Sequence, residues 1–225
     1  MIIRANNIIK TFNHHSLPVT ALAGVSLSVE KGAFVALCGP SGSGKTTLLN
    51  LLGCLDRPSQ GQIYLEDEEL TALSQKQLSG FRLYKVGFIF QDYNLIPTFR
   101  VRENIEYVLW LQGVGARERR DRAEQVCERF GIGKLLQRYP AQLSRGQQQR
   151  VAVARAIVHK PLLVLGDELT ANLDHQTGCE LMDFLHELNK EIGMTFVYAT
   201  HDPAMMERAD RVMRMVDGRL QADCS

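Results

Sequence analysis

The chain alternates between two hydrophobic periods. Val25-Ser26-Leu27-Ser28-Val29 alternates apolar and polar positions, the period of a strand with one buried face. Glu30-Lys31-Gly32 turns the chain, and Phe34-Val35-Ala36-Leu37-Cys38 follows as a short unbroken apolar run. Such a run predicts a strand buried on both faces of a sheet. Residues 17 to 38 therefore read as strands around a turn. The run enters a glycine-rich loop, after which residues 46 to 52 read as a helix. Val86-Gly87-Phe88-Ile89-Phe90, Leu162-Leu163-Val164-Leu165 and Thr195-Phe196-Val197-Tyr198-Ala199 predict three more strands. Residues 100 to 160 differ in character. They carry Arg, Glu, Gln and Leu at helical spacing, with proline only at Pro140, and predict a helical insertion between blocks of sheet. Strands alternating with helices argue for an α/β fold with a largely parallel core sheet.

Bulk properties narrow the classes. A length of 225 residues suits one large domain or two closely packed ones. The 26 basic and 25 acidic side chains nearly cancel, which gives no support for a general nucleic-acid binder. Cys38, Cys54, Cys127, Cys179 and Cys224 are scattered and form no C-x-x-C pair, so reduced thiols in a cytosolic protein are the simplest reading. The N-terminus lacks the apolar stretch of a signal peptide. No run approaches the roughly 18 to 20 apolar residues that span a bilayer. If the protein serves transport, another chain must supply the path.

The strongest local signal is Gly39-Pro40-Ser41-Gly42-Ser43-Gly44-Lys45-Thr46-Thr47, which fits G-x-x-x-x-G-K-[ST] between a predicted strand and a predicted helix. Glycines let backbone N–H groups turn inward around phosphate oxygens, and the helix N-terminus adds positive character. Lys45 is placed to reach the β- and γ-phosphates, and the Thr46 hydroxyl to ligate Mg²⁺. Alone, the loop says only that the chain binds a nucleoside triphosphate. Asp167 and Glu168 end the apolar run that begins at Leu162, where ligands of open α/β sheets sit. Asp167 is placed to hold Mg²⁺, directly or through water. Glu168 is the candidate to accept a proton from the attacking water or to orient it. A solvated acidic turn is the plainer alternative for the pair.

Leu143-Ser144-Arg145-Gly146-Gln147-Gln148-Gln149-Arg150-Val151-Ala152 resembles the LSGGQ signature of ABC ATPases. Gln91 after a strand, Ala171-Asn172-Leu173-Asp174 and Thr200-His201-Asp202 resemble that family's Q-, D- and H-loops, in the family's order and over nearly the whole chain. The segments at residues 48–58, 88–91 and 95–98 resemble the branch that includes MacB, LolD and FtsE. The resemblance implies a P-loop NTPase core with a mainly parallel sheet, an N-terminal antiparallel β subdomain and an inserted helical subdomain. Residues 1–91 and 157–225 would form the core, and 92–156 the helical signature subdomain.

The same resemblance implies an ATPase using ATP and Mg²⁺, working as a homodimer with two ATP molecules between head-to-tail subunits. Ser144, Gly146 and Gln147 would face the partner's phosphate loop. Gln91 would sense the γ-phosphate and Mg²⁺, His201 would position Glu168 and water, and Asp174 would join the dimer contact. Phe12 matches the family's adenine-stacking aromatic. Plainer readings exist: Gln91 as a solvated loop residue, Asp174 as a helix N-cap, Phe12 as core, His201 as a structural residue at a strand end. The implied partner is an integral-membrane permease of the MacB, LolC or FtsX kind, docked near residues 91 to 103, with no nucleic acid and no direct membrane insertion. The implied location is the cytoplasmic face of the inner membrane. Export or extraction of a substrate is the leading role; signalling through a membrane partner, as in FtsE, is the alternative. Three residues depart from the family pattern. Arg145 stands where glycine is usual, Gly166 where alanine is commoner, and Leu169 where proline is usual. Arg145 raises the question of whether a side chain blocks close phosphate approach or a positive φ. Loss of the proline predicts a less rigid loop after Glu168.

Overall fold

The computed structural model describes residues 1–14 and 17–221. Cys224 lies outside them. The elements run β1 (Ile3–His14), β2 (Leu17–Val29), β3 (Phe34–Cys38), α1 (Lys45–Leu52), β4 (Gln60–Leu65), β5 (Glu68–Glu69), α2 (Gln75–Lys85), β6 (Val86–Ile89), α3 (Val101–Leu111), α4 (Ala116–Arg129), α5 (Arg145–Ile157), β7 (Leu163–Asp167), α6 (His175–Ile192), β8 (Thr195–Thr200), α7 (Pro203–Met206), β9 (Arg211–Val216) and β10 (Arg219–Leu220). One sheet is antiparallel, in the order β2-β1-β4-β5. The other has the order β10-β9-β3-β8-β7-β6 and is parallel except for the edge strand β10.

The unbroken apolar runs follow from burial on both faces of the parallel sheet. Along β3, Phe34 and Ala36 enter one hydrophobic cluster, while Val35 and Leu37 enter the other. β8 divides the same way, Phe196 and Tyr198 against Val197 and Ala199. Side chains alternate across a strand, so a strand that serves two cores is apolar at every position. The first cluster is completed by α3 to α6, with Val101, Ile105, Ala123, Val151 and Leu185 among its members. The second is completed by α1 and the antiparallel sheet, through Leu48, Leu51, Ile3, Ile8 and Ile63.

Predicted boundaries shift by one or two residues at several ends. α1 begins at Lys45, β6 stops before Phe90, and β7 starts at Leu163 and runs through Asp167. The region from 100 to 160 is helical, carrying α3, α4 and α5 between β6 and β7. β1 was not among the predicted strands, and its register against β2 shifts between Ala5 and Ile8, again before Ile9, and again between Lys10 and Thr11. Bulges break the period-2 pattern without breaking the strand.

Candidate nucleotide site

Two features force the shape of the loop between β3 and α1. A side chain at Gly39 would meet the Met215 carbonyl at 2.1 Å, and one at Gly44 would meet the Ala21 carbonyl at 2.6 Å. Gly44 also holds a left-handed φ of 101° as the residue that opens α1. No side chain caps α1 and no acidic residue lies in its first turn. The helix therefore presents its first N–H groups to the loop, as an anion requires. Lys45 is buried, and its Nζ donates to the carbonyls of Gly39 at 2.8 Å and Pro40 at 3.0 Å, which folds the ammonium across the loop. Ser43 is buried as well, and its carbonyl accepts the Gly218 N–H at 3.1 Å, tying the loop to the β9–β10 turn.

This loop shares a cavity of about 570 Å³ with residues from four other segments. Ser41, Gly42, Ser43, Gly44, Lys45, Thr46 and Thr47 line it, together with Gln91, Glu168 and His201. Asp167 closes β7 beside Thr46. Burial raises the pKa of its carboxyl, the Thr46 hydroxyl bond and the Lys45 charge oppose that shift, and the Glu168 charge reinforces it. Its Oδ1 is buried with no hydrogen-bond partner among the described residues. An orphaned carboxylate oxygen beside a hydroxyl is a donor set that fits Mg²⁺, which takes few protein oxygens and fills its octahedron with phosphate and water.

Glu168 has a left-handed φ of 49°, unusual for a residue with a side chain. Its N–H donates to the Ala199 carbonyl at 3.1 Å, and its own carbonyl accepts the Ala171 N–H at 3.1 Å. The Nδ1 of His201 lies 3.0 Å and 2.9 Å from its two carboxylate oxygens. His201 is 70% exposed and Glu168 only 17%, so the histidine covers the carboxylate from the solvent side.

The residues at 144 to 147 and at 174 lie elsewhere on the chain. Ser144 caps α5: its Oγ accepts the Gln147 N–H at 3.3 Å, and Gln147 Oε1 accepts the Ser144 N–H at 3.0 Å. Asp174 caps α6 in the same manner, accepting from the Thr177 N–H at 3.0 Å and its hydroxyl at 2.7 Å. Ser144, Arg145, Gly146, Gln147 and Asp174 line a second surface cavity of about 560 Å³ that shares no residue with the first. One copy of the chain thus keeps these two groups of residues in separate cavities. The sequence profile described as ABC transporter matches residues 22–171, a span from β2 through the phosphate loop and the α5 signature to the turn after Glu168.

The chain belongs to the ABC transporter family. A Thermotoga maritima uncharacterized ABC transporter ATP-binding protein is 44% identical over 94% of this chain and 90% of its own length. The macrolide export ATP-binding/permease protein MacB of Syntrophobacter fumaroxidans is 42% identical over 99% of this chain, which spans only 31% of that longer protein. The fold is similar to that of the ATP-binding cassette MJ0796, seen as a dimer in a post-hydrolysis state bound to ADP and Pi. The TM-score is 0.92 at 37% identity, over 98% of this chain and 97% of that one.

This chain is thus an ATP-binding cassette, and its departures from the family pattern acquire structural explanations. Arg145 is the first residue of α5, exposed and outside the left-handed region, so its backbone makes no demand for glycine. Leu169 is buried at 4% exposure. Phe12 is half-buried on β1 with the Lys10 ammonium 4.8 Å from its ring centroid, and it belongs to neither cavity. Gln91 is exposed, and its carbonyl accepts from Asn172 Nδ2 at 2.9 Å. Two residues that the sequence pattern did not single out hold the segment after Gln91. Arg155 of α5 donates to the carbonyls of Tyr93 at 2.7 Å and Asn94 at 2.5 Å. Asn104 of α3 binds the backbone of Ile96, Phe99 and Arg100. The one available signal for Asn104 was a polar residue beside Ile105 on the apolar stripe of a helix.

Proposed function

We propose that this cassette is a Mg²⁺-dependent ATPase of the MacB and LolD type, which drives export or extraction through a separate membrane subunit at the cytoplasmic face of the inner membrane. One observation carries the reading. Lys45, Glu168 and His201 converge on one cavity, while Ser144 and Gly146 line another on the same chain. Head-to-tail pairing of two copies brings each phosphate loop against the partner's signature helix N-terminus, where ATP binds between them.

Thr46, Asp167 and Gln91 would hold Mg²⁺, whose charge neutralises the β- and γ-phosphate oxygens. Lys45 exchanges a carbonyl contact for a phosphate oxygen. Glu168 takes the proton of the attacking water, and His201 holds that carboxylate while reaching the γ-phosphate. Ser144, Gly146 and Gln147 of the second copy stand at the N-terminus of α5, whose positive end would face the same phosphate. Phe12 stacks on adenine, and Asp174 joins the contact between copies. Hydrolysis removes the shared anion and releases the pair, the stroke that a permease converts into movement.

The permease would dock beside the segment from Gln91 to Glu103, near Pro97 and Arg100. Phe99, Tyr107 and Trp110 form a continuous aromatic row there, with centroid spacings of 5.7 and 5.9 Å. Trp110 and Leu111 are exposed at the end of that row. In the decisive test, the chain carrying Glu168→Gln is mixed with ATP and Mg²⁺, and mass is followed by light scattering beside phosphate release. The expected outcome is a dimer that EDTA dissolves, and hydrolysis slowed by roughly 10²-fold or more. A Glu168→Gln chain that hydrolyses ATP at the wild-type rate removes the glutamate from the mechanism.

A further inference from the structure

Two of the departures at the end of β7 are in contact. A Cβ built on Gly166 would lie 2.6 Å from Leu169 Cδ2, 2.8 Å from Cγ and 2.9 Å from Cδ1. The Leu169 side chain therefore fills the volume that an alanine at 166 would need, and it does so while 4% exposed. Glu168 lies between the two, in a left-handed conformation that a residue with a Cβ adopts only when its surroundings hold it there. The turn from Glu168 to Ala171 is closed by the Ala171 N–H on the Glu168 carbonyl. Leu169 occupies the second position of that turn, where proline would set φ covalently.

We propose that Gly166 and Leu169 act as a paired packing clamp that positions Glu168. The missing side chain at 166 lets Leu169 fold back onto the strand, and its burial does by packing what a proline ring does covalently. Leu169 is a positioning residue: it touches no reacting atom and acts through the backbone of its neighbour. The expectation of a looser loop is replaced by one of a loop held by contact. The proposal rests on Glu168 as the proton acceptor, so Glu168→Gln serves as a control for that reading.

The clamp makes an asymmetric prediction about substitutions. Gly166→Ala drives Leu169 from its seat and lets Glu168 drift, so kcat falls on the order of tenfold while KM for ATP stays within about twofold. Leu169→Pro introduced beside Gly166→Ala removes the clash and restores φ, and turnover returns to within about threefold of wild type. Loss of fold alone would lower ATP affinity and turnover together, and the second substitution would not rescue it. A readout independent of hydrolysis is the nuclear Overhauser contact between the Leu169 methyls and the Gly166 α protons. It is expected in the wild type and in Glu168→Gln, and lost in Gly166→Ala. Wild-type turnover in Gly166→Ala, or a double variant as slow as the product of the two single losses, overturns the clamp. Absence of the methyl contact in the wild type overturns it as well. Full turnover in Glu168→Gln with the methyl contact intact overturns the catalytic reading and leaves the packing as structure alone, which also ends the proposal.

Discussion

Burial beside β6 pulls the pKa of His159 down to about 4, and the hydrogen bond of its Nε2 with the Val86 carbonyl at 3.3 Å opposes that only in part. The native state therefore keeps this ring neutral where an unfolded chain, with a histidine pKa near 6.5, takes up a proton. Between those two values the unfolded state binds more protons, so stability falls as pH drops from about 6.5 to about 4. Urea unfolding of wild type and His159→Gln at pH 7 and pH 4 reads this directly. The wild type is expected to lose more than the variant, by about 3 kcal/mol across that range. Equal losses would mean that the ring is already charged in the fold. The same scale shows what a residue type announces and what it hides. Lys45, Asp167 and Glu168 stood out as candidates because phosphate, metal and proton chemistry call for such side chains near a strand end, and His201 because its segment resembles the family's H-loop. The φ of Glu168, and the contact that keeps it there, depend on where the Leu169 side chain lies in three dimensions.

Among the elements, the segment from Gln91 to Arg100 has no helix or strand of its own. Its order comes from neighbours: Asn172 on the Gln91 carbonyl, Arg155 on Tyr93 and Asn94, and Asn104 on three further residues. Asn104 is fully buried and uses both ends of its amide, accepting the Ile96 N–H at 2.8 Å and donating to the carbonyls of Ile96, Phe99 and Arg100. Asn104→Leu keeps the volume and strands these groups, so a loss of about 2–4 kcal/mol is expected in urea unfolding. Faster amide exchange at Ile96 should accompany it. Unchanged exchange would show that the segment is ordered from elsewhere. Helical spacing over residues 100 to 160 foresaw a helical insertion, within which α3 and α5 each bury an apolar stripe. It could not assign Asn104 or Arg155, whose partners are backbone groups of a loop that has no pattern.

For the molecule as a whole, the aromatic row that ends at Trp110 offers a built-in probe, since this is the single tryptophan of the chain and it is 57% exposed. If the permease docks there, its addition in detergent should shift the emission to the blue and protect Trp110 from iodide quenching. ATP alone should leave both unchanged, because Trp110 lines neither of the two cavities proposed to take the nucleotide. Binding of the permease with no change in emission would move the docking face elsewhere. The order of the phosphate loop, signature and acidic strand end, and the parallel core of the fold, were written in the sequence itself. The loop and the core follow from local rules, glycine where backbone wraps an anion and unbroken apolar runs where a strand serves two cores, whereas the signature was legible only through its resemblance to the family's. Tertiary structure alone decided that the loop and the signature occupy separate cavities, and that Gly166 and Leu169 share one volume. Those are relations between distant or folded-back atoms, and only packing sets the distances between them.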